Sequence, residues 1–318
     1  MLHVVCGVPQ GSTLGPLLFI IYVNSLLQLK LHGPVFSFAD DTAIVYSGRT
    51  HDETKQKCEE DLRTLRNWFL FHKICPNLQK TKILEYNYKK TKIESPIITW
   101  HLRNCNGNPC TNNCTPVEKV HEIKYLGVYL NSNLNWSSHS HYLQTKLRKL
   151  NYLIYYLKKT VPIKIRRRIY LALYEPVLTY GMECWGKAAD YITQPIKVLQ
   201  KGAIRSVAGA GYREHTAPIF NNLKILSYSS LYNRALASLA HRKIVALTKE
   251  SQTTLSLRST VYKTPKWKNV KARNQASYQT PIFCSTLPTE IQTYFGHPSF
   301  TKRLKKHLLE IQYSSNSN

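Results

Sequence analysis

The sequence predicts an α+β fold in which a small antiparallel sheet with covering helices precedes a largely α-helical, basic region. Short apolar segments flank the acidic pair Asp40 and Asp41, whereas apolar residues after residue 136 recur mainly at helical spacing. Charge is divided unevenly: residues 1–140 carry 15 Lys and Arg against 11 Asp and Glu, a net +4, whereas residues 141–318 carry 29 against 7, a net +22. With 318 residues, the chain is long enough for two domains.

The first predicted region, residues 1–136, combines helices with short strands. The apolar stretch over residues 14–29 is too short to cross a bilayer and contains polar side chains, so we interpret it as a buried helix. A second helix is predicted for residues 54–72, where apolar residues share one face: Cys58, Leu62, Leu65 and Phe69. Its charged residues fall mostly on the other faces: Glu59, Glu60, Asp61, Arg63 and Arg66. Strands are predicted near residues 82–88 and 123–130.

The second predicted region, residues 137–249, is helical. Apolar periodicity predicts four helices, near residues 138–160, 162–185, 191–209 and 217–249. Three prolines are consistent with helix starts, because proline is tolerated in the first turn of a helix: Pro162, Pro195 and Pro218. Pro176 is expected to kink the second of these helices.

The third predicted region, residues 250–318, is a linker followed by a helix. Ser, Thr, Lys and Gln dominate residues 250–282 and apolar residues are sparse, which predicts a flexible or loosely packed arm. A last helix is predicted for residues 299–312, where apolar residues return at helical spacing: Phe300, Leu304, Leu308 and Ile311.

Asp40 and Asp41 are the only carboxylates among the first fifty residues, and they lie between two apolar segments. Adjacent carboxylates repel each other, and burying either one is costly unless a cation or a hydrogen-bond donor compensates. Two interpretations remain open. The pair can bind Mg²⁺, which prefers carboxylate oxygens and completes its coordination with water and substrate phosphates. Alternatively, the pair forms a solvated turn between two strands.

A loop with the sequence GVPQGS occupies residues 7–12, upstream of the acidic FADD block at residues 38–41. Glycines allow the loop backbone to approach a ligand, and Gln10 offers both a donor and an acceptor. In order and spacing, the two blocks closely resemble signature blocks of reverse transcriptases of the LINE-like, non-LTR retrotransposon group. CPNLQKTKIL at residues 75–84 resembles the next palm motif, and KYLGVYL at residues 124–130 resembles the primer grip.

The resemblance implies a partial polymerase palm over residues 1–136 and a helical, basic thumb over residues 137–249. In the intact enzyme, Asp40 and Asp41 would bind Mg²⁺ for two-metal nucleotidyl transfer. The resemblance also implies two further groups of site residues. Contacts with the nucleotide and template would come from Pro9, Gln10, Gly11, Lys80 and Lys82. The primer grip would consist of Tyr125, Leu126 and Gly127.

A third catalytic carboxylate of this family lies upstream of the GVPQGS-like loop. Since the chain begins six residues before that loop, we expect a C-terminal portion without the fingers and the first catalytic-Asp motif. The resulting hypothesis is a fragment of an RNA-directed DNA polymerase with little activity alone, and whether the chain is itself an enzyme stays open. The alternative is a non-catalytic, basic nucleic-acid-binding remnant.

Cations and aromatic residues are interleaved over residues 146–159, in a pattern typical of nucleic-acid-binding surfaces. The expected partners are an RNA template and a DNA primer, whereas protein partners cannot be predicted. A solvated amphipathic helix is the alternative interpretation, and a membrane surface is not favoured. The predicted contacts with the nucleic-acid backbone are Lys146, Arg148, Lys149, Arg166, Arg167 and Arg168.

Eight cysteines are scattered along the chain, and no export signal is apparent, so reduced thiols in an intracellular protein are expected. The nucleus and the cytoplasm are equally compatible with the sequence. One cluster has ligands suited to tetrahedral Zn²⁺: His101, Cys105, Cys110 and Cys114. Because the spacing lacks a Cys-x₂-Cys knuckle, we favour an inserted loop between two strands over a zinc site.

Overall fold

The computed structural model describes residues 11–86, 96–101, 105, 114–250, 266 and 270–314. The chain divides into two compact units, Met1–Gly127 and Val128–Asn318. Unit 1 contains short strands and helices, whereas unit 2 is almost entirely helical, so the predicted α+β class is confirmed. Residues 128–140 contain no Asp, Glu, Lys or Arg, and the two units therefore carry the net charges of +4 and +22 computed above.

The described residues of unit 1 form two α-helices. Helix α1 spans Gly15–Val23 and continues into a 3₁₀ turn at Asn24–Gln28. Helix α2 spans His51–Phe71 and is capped by Thr50, whose side chain accepts a hydrogen bond from the Glu53 backbone N–H. A small apolar core joins the 3₁₀ turn to α2 through buried Leu26, Leu65 and Trp68.

The stretch over residues 14–29 is helical as predicted, but its predicted burial is wrong within unit 1. Leu14 and Ile21 are each 63% exposed, and Gly15 is the only buried residue of α1. The reason is that the apolar side chains point in all directions, whereas the contact with α2 covers only the side on which Val23 and Leu26 lie.

The strands of unit 1 form two-stranded ladders among the described residues. Strands β1 (Val35–Phe38) and β2 (Asp41–Ile44) are antiparallel. Strand β3 (Lys82–Leu84) pairs in parallel with β6 (Glu118–Val120), and β4 (Thr99–Trp100) pairs antiparallel with β5 (Thr115–Pro116). The predicted small sheet is thus present, in the described residues, as separate short ladders, of which the β3–β6 ladder is parallel rather than antiparallel. Strand β7 (Glu122–Tyr125) ends unit 1, and β8 (Val128–Asn131) begins unit 2.

Helices make up the rest of the secondary structure described for unit 2. In chain order they are α3 (Ser137–Tyr156), α4 (Ile163–Ile169), a π-helical segment (Tyr170–Tyr174), α5 (Glu175–Thr179), α6 (Met182–Trp185), α7 (Asp190–Ala208), α8 (Thr216–Asn222), α9 (Tyr228–Glu250), α10 (Val270–Arg273), α11 (Ala276–Thr286), α12 (Thr289–Gln292) and α13 (Phe300–Ser314). Their inward faces form one continuous core. The largest side chains in it include Trp185, Tyr170 and Phe300, all at most 1% exposed.

Two prolines lie within the helical segments of unit 2. Pro176 is in the first turn of α5, directly after a π-helical segment in which the rings of Tyr170 and Tyr174 stack with centroids 4.9 Å apart, so the regular α-helix is interrupted close to the predicted position. Helix α7 begins at Asp190, next to the predicted start at residue 191, so the interpretation of Pro195 as a start signal is wrong. Pro195 lies in the second turn, where a proline removes only one hydrogen bond near the helix end.

Two other predicted boundaries are also wrong. The helix predicted over residues 217–249 is divided by residues 223–227, where Leu223, Ile225 and Leu226 are buried in a connection between α8 and α9. Because these apolar residues continue the periodic pattern through a loop, the sequence shows no break. Residues 276–282, predicted as part of a linker, belong to α11, where Thr280 and Cys284 are buried.

Candidate active site and nucleic-acid interface

Asp40 and Asp41 lie at the tip of a tight β-hairpin. In the β1–β2 ladder, Phe38 pairs with Asp41, which leaves Ala39 and Asp40 as the two-residue turn. Ala39 has a φ of +52°, as the first position of a II′-type hairpin turn requires. Both aspartates are exposed. The structure therefore presents two adjacent carboxylates to solvent on a short, hydrogen-bonded scaffold.

Asp61 anchors the segment that leads into this hairpin. Its buried carboxylate accepts hydrogen bonds from the backbone N–H groups of His32, at 2.9 and 3.1 Å, and Gly33, at 3.3 Å. A side chain at Gly33 would not fit, because its Cβ would lie 2.6 Å from the carbonyl oxygen of Val45. Asp61 is therefore a positioning residue for the hairpin, since it fixes the chain immediately before β1.

The sequence interpretation placed Asp61 on the charged faces of α2, and this placement is wrong. Asp61 is 2% exposed and shares the buried stripe of α2 with Cys58, Leu65 and Trp68. Its spacing of three residues after Cys58 and four before Leu65 is the signal that identifies it.

Ser25 lies in the 3₁₀ turn that follows α1. Its hydroxyl oxygen accepts a hydrogen bond from Trp68 Nε1 at 3.1 Å and lies 3.2 Å from His72 Nε2. The rings of Trp68 and His72 stack with centroids 4.1 Å apart. Ser25 therefore attaches the 3₁₀ turn to the end of α2.

The predicted nucleotide-side residues are only partly described. Pro9 and Gln10 lie outside the described residues, whereas Gly11 is exposed and has a φ of +86°, which favours glycine. Lys80 is exposed in a turn that Asn77 caps. Lys82 instead forms an ion pair with Glu118 across the β3–β6 ladder. Of the two lysines, Lys80 is the more accessible to a phosphate.

The predicted primer-grip residues follow one another at the end of unit 1. Tyr125 is the last residue of β7 and is partly buried. Leu126 and Gly127 form a turn with φ values of +45° and +81°. Two successive left-handed residues are typical of the I′ turn of tight hairpins.

The exposed face of α3 combines cations with tyrosines, and we call it the α3 basic face: Lys146, Arg148, Lys149, Tyr152, Tyr155 and Tyr156. Tyr152 and Tyr156, one helical turn apart, are 72% and 70% exposed. The opposite face of α3 is buried in the core through Leu143, Leu147 and Ile154. Cations and exposed aromatic rings on one surface can contact phosphates and stack with bases.

The three consecutive arginines of α4 lie in different environments. Arg166 is 7% exposed, and its Nη1 donates hydrogen bonds to the carbonyl oxygens of Lys158 at 3.1 Å and Ser206 at 3.0 Å. Burial lowers the pKa of its guanidinium. The Arg167 Nε donates to the carbonyl oxygen of Leu223 at 2.5 Å. Arg168 is exposed. Phosphate contact, predicted for all three, thus suits only Arg168, because the other two bind carbonyl groups of unit 2.

The structure brings together three of the four predicted zinc ligands. The ligand atoms of His101, Cys105 and Cys114 all lie within 4.8 Å of one another, and the Cys105 Sγ is 3.4 Å from His101 Nδ1. Cys110 lies outside the described residues. No other group of three or more potential metal ligands is found in the described part of the chain.

No α-helix among the described residues combines the length and the apolar character needed to span a bilayer.

Comparisons with known proteins agree with the motifs. Residues 2–130 match the reverse transcriptase (RNA-dependent DNA polymerase) family. The RNA-directed DNA polymerase from the mobile element jockey of Drosophila funebris is 29% identical over 231 residues, which cover 69% of this chain and 24% of that protein. The probable RNA-directed DNA polymerase from transposon BS of Drosophila melanogaster is 27% identical over 230 residues, with coverages of 69% and 24%.

A further relative is the probable RNA-directed DNA polymerase from transposon X-element of Drosophila melanogaster, which is 25% identical over 239 residues. The chain spans about a quarter of the length of these relatives. No solved structure matches the chain. The motifs, the family match over residues 2–130 and the similarities to transposon polymerases together support a reverse transcriptase of the LINE-like, non-LTR retrotransposon group.

Proposed function

We propose that this chain is part of an RNA-directed DNA polymerase in which Asp40 and Asp41 are catalytic, metal-binding carboxylates. The observation that carries this proposal is the β1–β2 hairpin, which presents both carboxylates at its tip within the region that matches the reverse transcriptase family. A tight hairpin holds the two groups close together without burying them, so that they are accessible to a metal ion and a substrate.

The ligand atoms that the hairpin offers suit Mg²⁺. Asp40 and Asp41 offer hard carboxylate oxygens, and Mg²⁺ typically uses one or two protein carboxylates together with water and substrate phosphates. When bound, Mg²⁺ would activate the primer 3′-hydroxyl group and stabilise the charge of the departing pyrophosphate. Within the described residues, no third ligand joins the pair in a cluster, so polymerisation is proposed to require a further carboxylate, as the family resemblance implies.

The surrounding residues support nucleotide and primer binding. Pro9, Gln10 and Gly11 are proposed to shape the nucleotide and template side, with Lys80 as the lysine that meets the triphosphate. Lys82 is less suited to this role because Glu118 already neutralises its charge. Tyr125, Leu126 and Gly127 are proposed to contact the primer.

Unit 2 is proposed to bind the RNA template and DNA primer as a thumb. Its net charge of +22 favours a polyanion, and the α3 basic face presents cations beside exposed tyrosines. We propose that Arg168 of α4 also contacts the nucleic-acid backbone. An A-form-like hybrid would be recognised by its shape and its backbone rather than by sequence.

Primer extension on an RNA template with Mg²⁺ tests the catalytic proposal. We expect weak incorporation by the chain alone, which falls below detection in Asp40→Asn and Asp41→Asn because each substitution removes a charged metal ligand. Asp52→Asn, an exposed acid in the same unit, is the matched control and should retain the parent level. Incorporation that survives both hairpin substitutions would contradict the proposal.

A second candidate function is non-catalytic binding of nucleic acid. Two observations favour it. The high positive charge of unit 2 suits nucleic-acid binding, whereas the two carboxylates of the hairpin have no third ligand beside them in the described residues. Under this candidate, the chain binds an RNA–DNA hybrid equally well with and without Asp40→Ala and incorporates no nucleotide. The two functions are thus separated by Asp40-dependent incorporation, and failure to bind the hybrid would contradict both.

A further inference from the structure

A group of potential metal ligands that does not include the acidic pair lies where the β4–β5 ladder ends. The β4–β5 ladder pairs Thr99 with Pro116 and Trp100 with Thr115. Continuing this register by one step places His101 opposite Cys114. The ladder therefore brings His101 and Cys114 together, although the two residues are 13 positions apart in sequence.

The ladder is attached to α2, which holds one side of the cluster in place. Arg66 Nη1 donates a hydrogen bond to the carbonyl oxygen of His101 at 3.2 Å. The neighbouring Trp100 is buried and contacts the ring of Phe69, with centroids 6.2 Å apart. His101 is itself buried. The backbone at His101 is thus held in place before a metal arrives, which lowers the entropic cost of binding.

The separations of the ligand atoms are close to those of a bound metal. Zn–S and Zn–N bonds of about 2.3 and 2.0 Å at tetrahedral angles place a sulfur and a nitrogen ligand roughly 3.5 Å apart. The Cys105 Sγ and His101 Nδ1 are 3.4 Å apart, and the Cys114 Sγ completes a set whose members all lie within 4.8 Å. Only small side-chain movements are needed to enclose an ion.

We propose that His101, Cys105 and Cys114 bind a structural Zn²⁺ ion at the end of the β4–β5 ladder. Two thiolates and one imidazole favour Zn²⁺ over the hard ion Mg²⁺. Each thiol releases its proton to solvent when it coordinates the metal. The described residues thereby fill three corners of a tetrahedron. This site is independent of the function proposed above.

The metal content of the purified chain tests the site directly. The full chain, produced with added zinc and purified under reducing conditions without chelator, should contain about one zinc per chain. His101→Ala, Cys105→Ser and Cys114→Ser should each lower the content at least fivefold. Cys75→Ser is the matched control, because Cys75 is an exposed thiol of the same unit outside the cluster, and it should keep the parent content.

Two further measurements separate ligand loss from unfolding. Cys114→His supplies a different zinc ligand at the same position and should restore most of the binding that Cys114→Ser removes. Co²⁺ added to the metal-free parent chain should produce the absorption of a tetrahedral, thiolate-coordinated ion. A folded, reduced parent chain that binds neither metal would overturn the proposal, as would equal metal loss in Cys75→Ser. Neither readout depends on polymerisation.

Discussion

Arg166 and Arg168 are two residues apart on α4, yet their side chains lie in different environments. Arg166 donates two hydrogen bonds to carbonyl groups near the ends of α3 and α7, whereas Arg168 faces solvent. Asp61 shows the same contrast with exposed Glu60, since only Asp61 is buried and binds backbone N–H groups. For these residues, burial decides whether a charge has a structural role or is available to a ligand.

Arg166→Ala is expected to lower the free energy of unfolding of unit 2 by about 2 to 4 kcal/mol, because it leaves two carbonyl groups without their charged donor. Arg168→Ala should change it by less than about 0.5 kcal/mol. Urea denaturation followed by far-UV circular dichroism measures both. Equal stability losses in the two variants would show that the Arg166 contacts are not important for the fold.

His139 provides a pH-dependent contribution to the stability of unit 2. It is 1% exposed, contacts the Trp185 ring at 5.4 Å, and accepts a hydrogen bond from the Tyr129 N–H at 3.4 Å. Burial lowers its pKa to about 4. The unfolded chain, with a histidine pKa near 6.5, therefore binds the proton more tightly than the folded protein.

We expect the free energy of unfolding to fall as the pH decreases from about 6.5 to 4, with a His139 contribution of roughly 3 kcal/mol over the whole window. His139→Gln should flatten the dependence in this range. His141→Gln, which removes an exposed histidine of the same helix, should leave it as in the parent chain. Urea denaturation at a series of pH values measures the slopes, and identical slopes in the parent chain and His139→Gln would contradict the assignment.

At the scale of elements, the β1–β2 hairpin is a strained turn on an anchored base. Ala39 has a left-handed φ of +52°, a conformation that costs an L-residue about 1 kcal/mol or more. The backbone N–H of Val45 donates to the carbonyl oxygen of Pro34 at 3.2 Å, and Asp61 fixes the preceding segment. The strain is therefore confined to the turn that carries Asp40.

Ala39→Gly should stabilise this hairpin by about 0.5 to 1 kcal/mol, since glycine adopts a positive φ without the penalty of a Cβ atom. Amide hydrogen exchange over residues 35–44 should become roughly two- to fivefold slower. Ala43→Gly is the control within β2, because Ala43 has no positive φ, and it should accelerate exchange. Faster exchange in Ala39→Gly would show that the turn is not strained.

Helix α13 is an integral element of unit 2, in agreement with the predicted last helix. Phe300, Leu304 and Leu308 are at most 2% exposed. The Gln312 side chain accepts a hydrogen bond from the Ser227 N–H at 2.8 Å and donates one to the carbonyl oxygen of Ile225 at 3.1 Å. The end of the helix thus provides hydrogen-bond partners for backbone groups of the buried connection between α8 and α9.

At the scale of the whole molecule, the two units differ in net charge. Unit 1 has a net charge of +4 and unit 2 of +22, so electrostatic attraction of a nucleic acid is concentrated on unit 2. Each phosphate contact releases counterions, which makes binding dependent on salt concentration. The slope of this dependence therefore measures how many cations of a given surface contact phosphates.

Replacing Lys146, Arg148 and Lys149 of the α3 basic face together by glutamine should weaken binding to an RNA–DNA hybrid. It should also reduce the magnitude of the slope of log K against log salt concentration by roughly 2 to 3. Fluorescence anisotropy over a series of salt concentrations measures this slope. The matched control removes the same charge from α13, by replacing Lys302, Lys305 and Lys306, and should change the slope by less than about 1. Equal changes would indicate a response to net charge rather than contact at α3.

The sequence by itself indicated the reverse transcriptase resemblance, the α+β class, the charge asymmetry and most helix positions, because motifs, composition and periodicity are local properties of the chain. Only the tertiary structure decided that Arg166 is buried and that α1 is largely exposed within its unit. It also decided that β4 and β5 bring His101 close to Cys114. These features depend on which distant residues meet, and neither the spacing nor the type of a residue specifies the surface that packs against it.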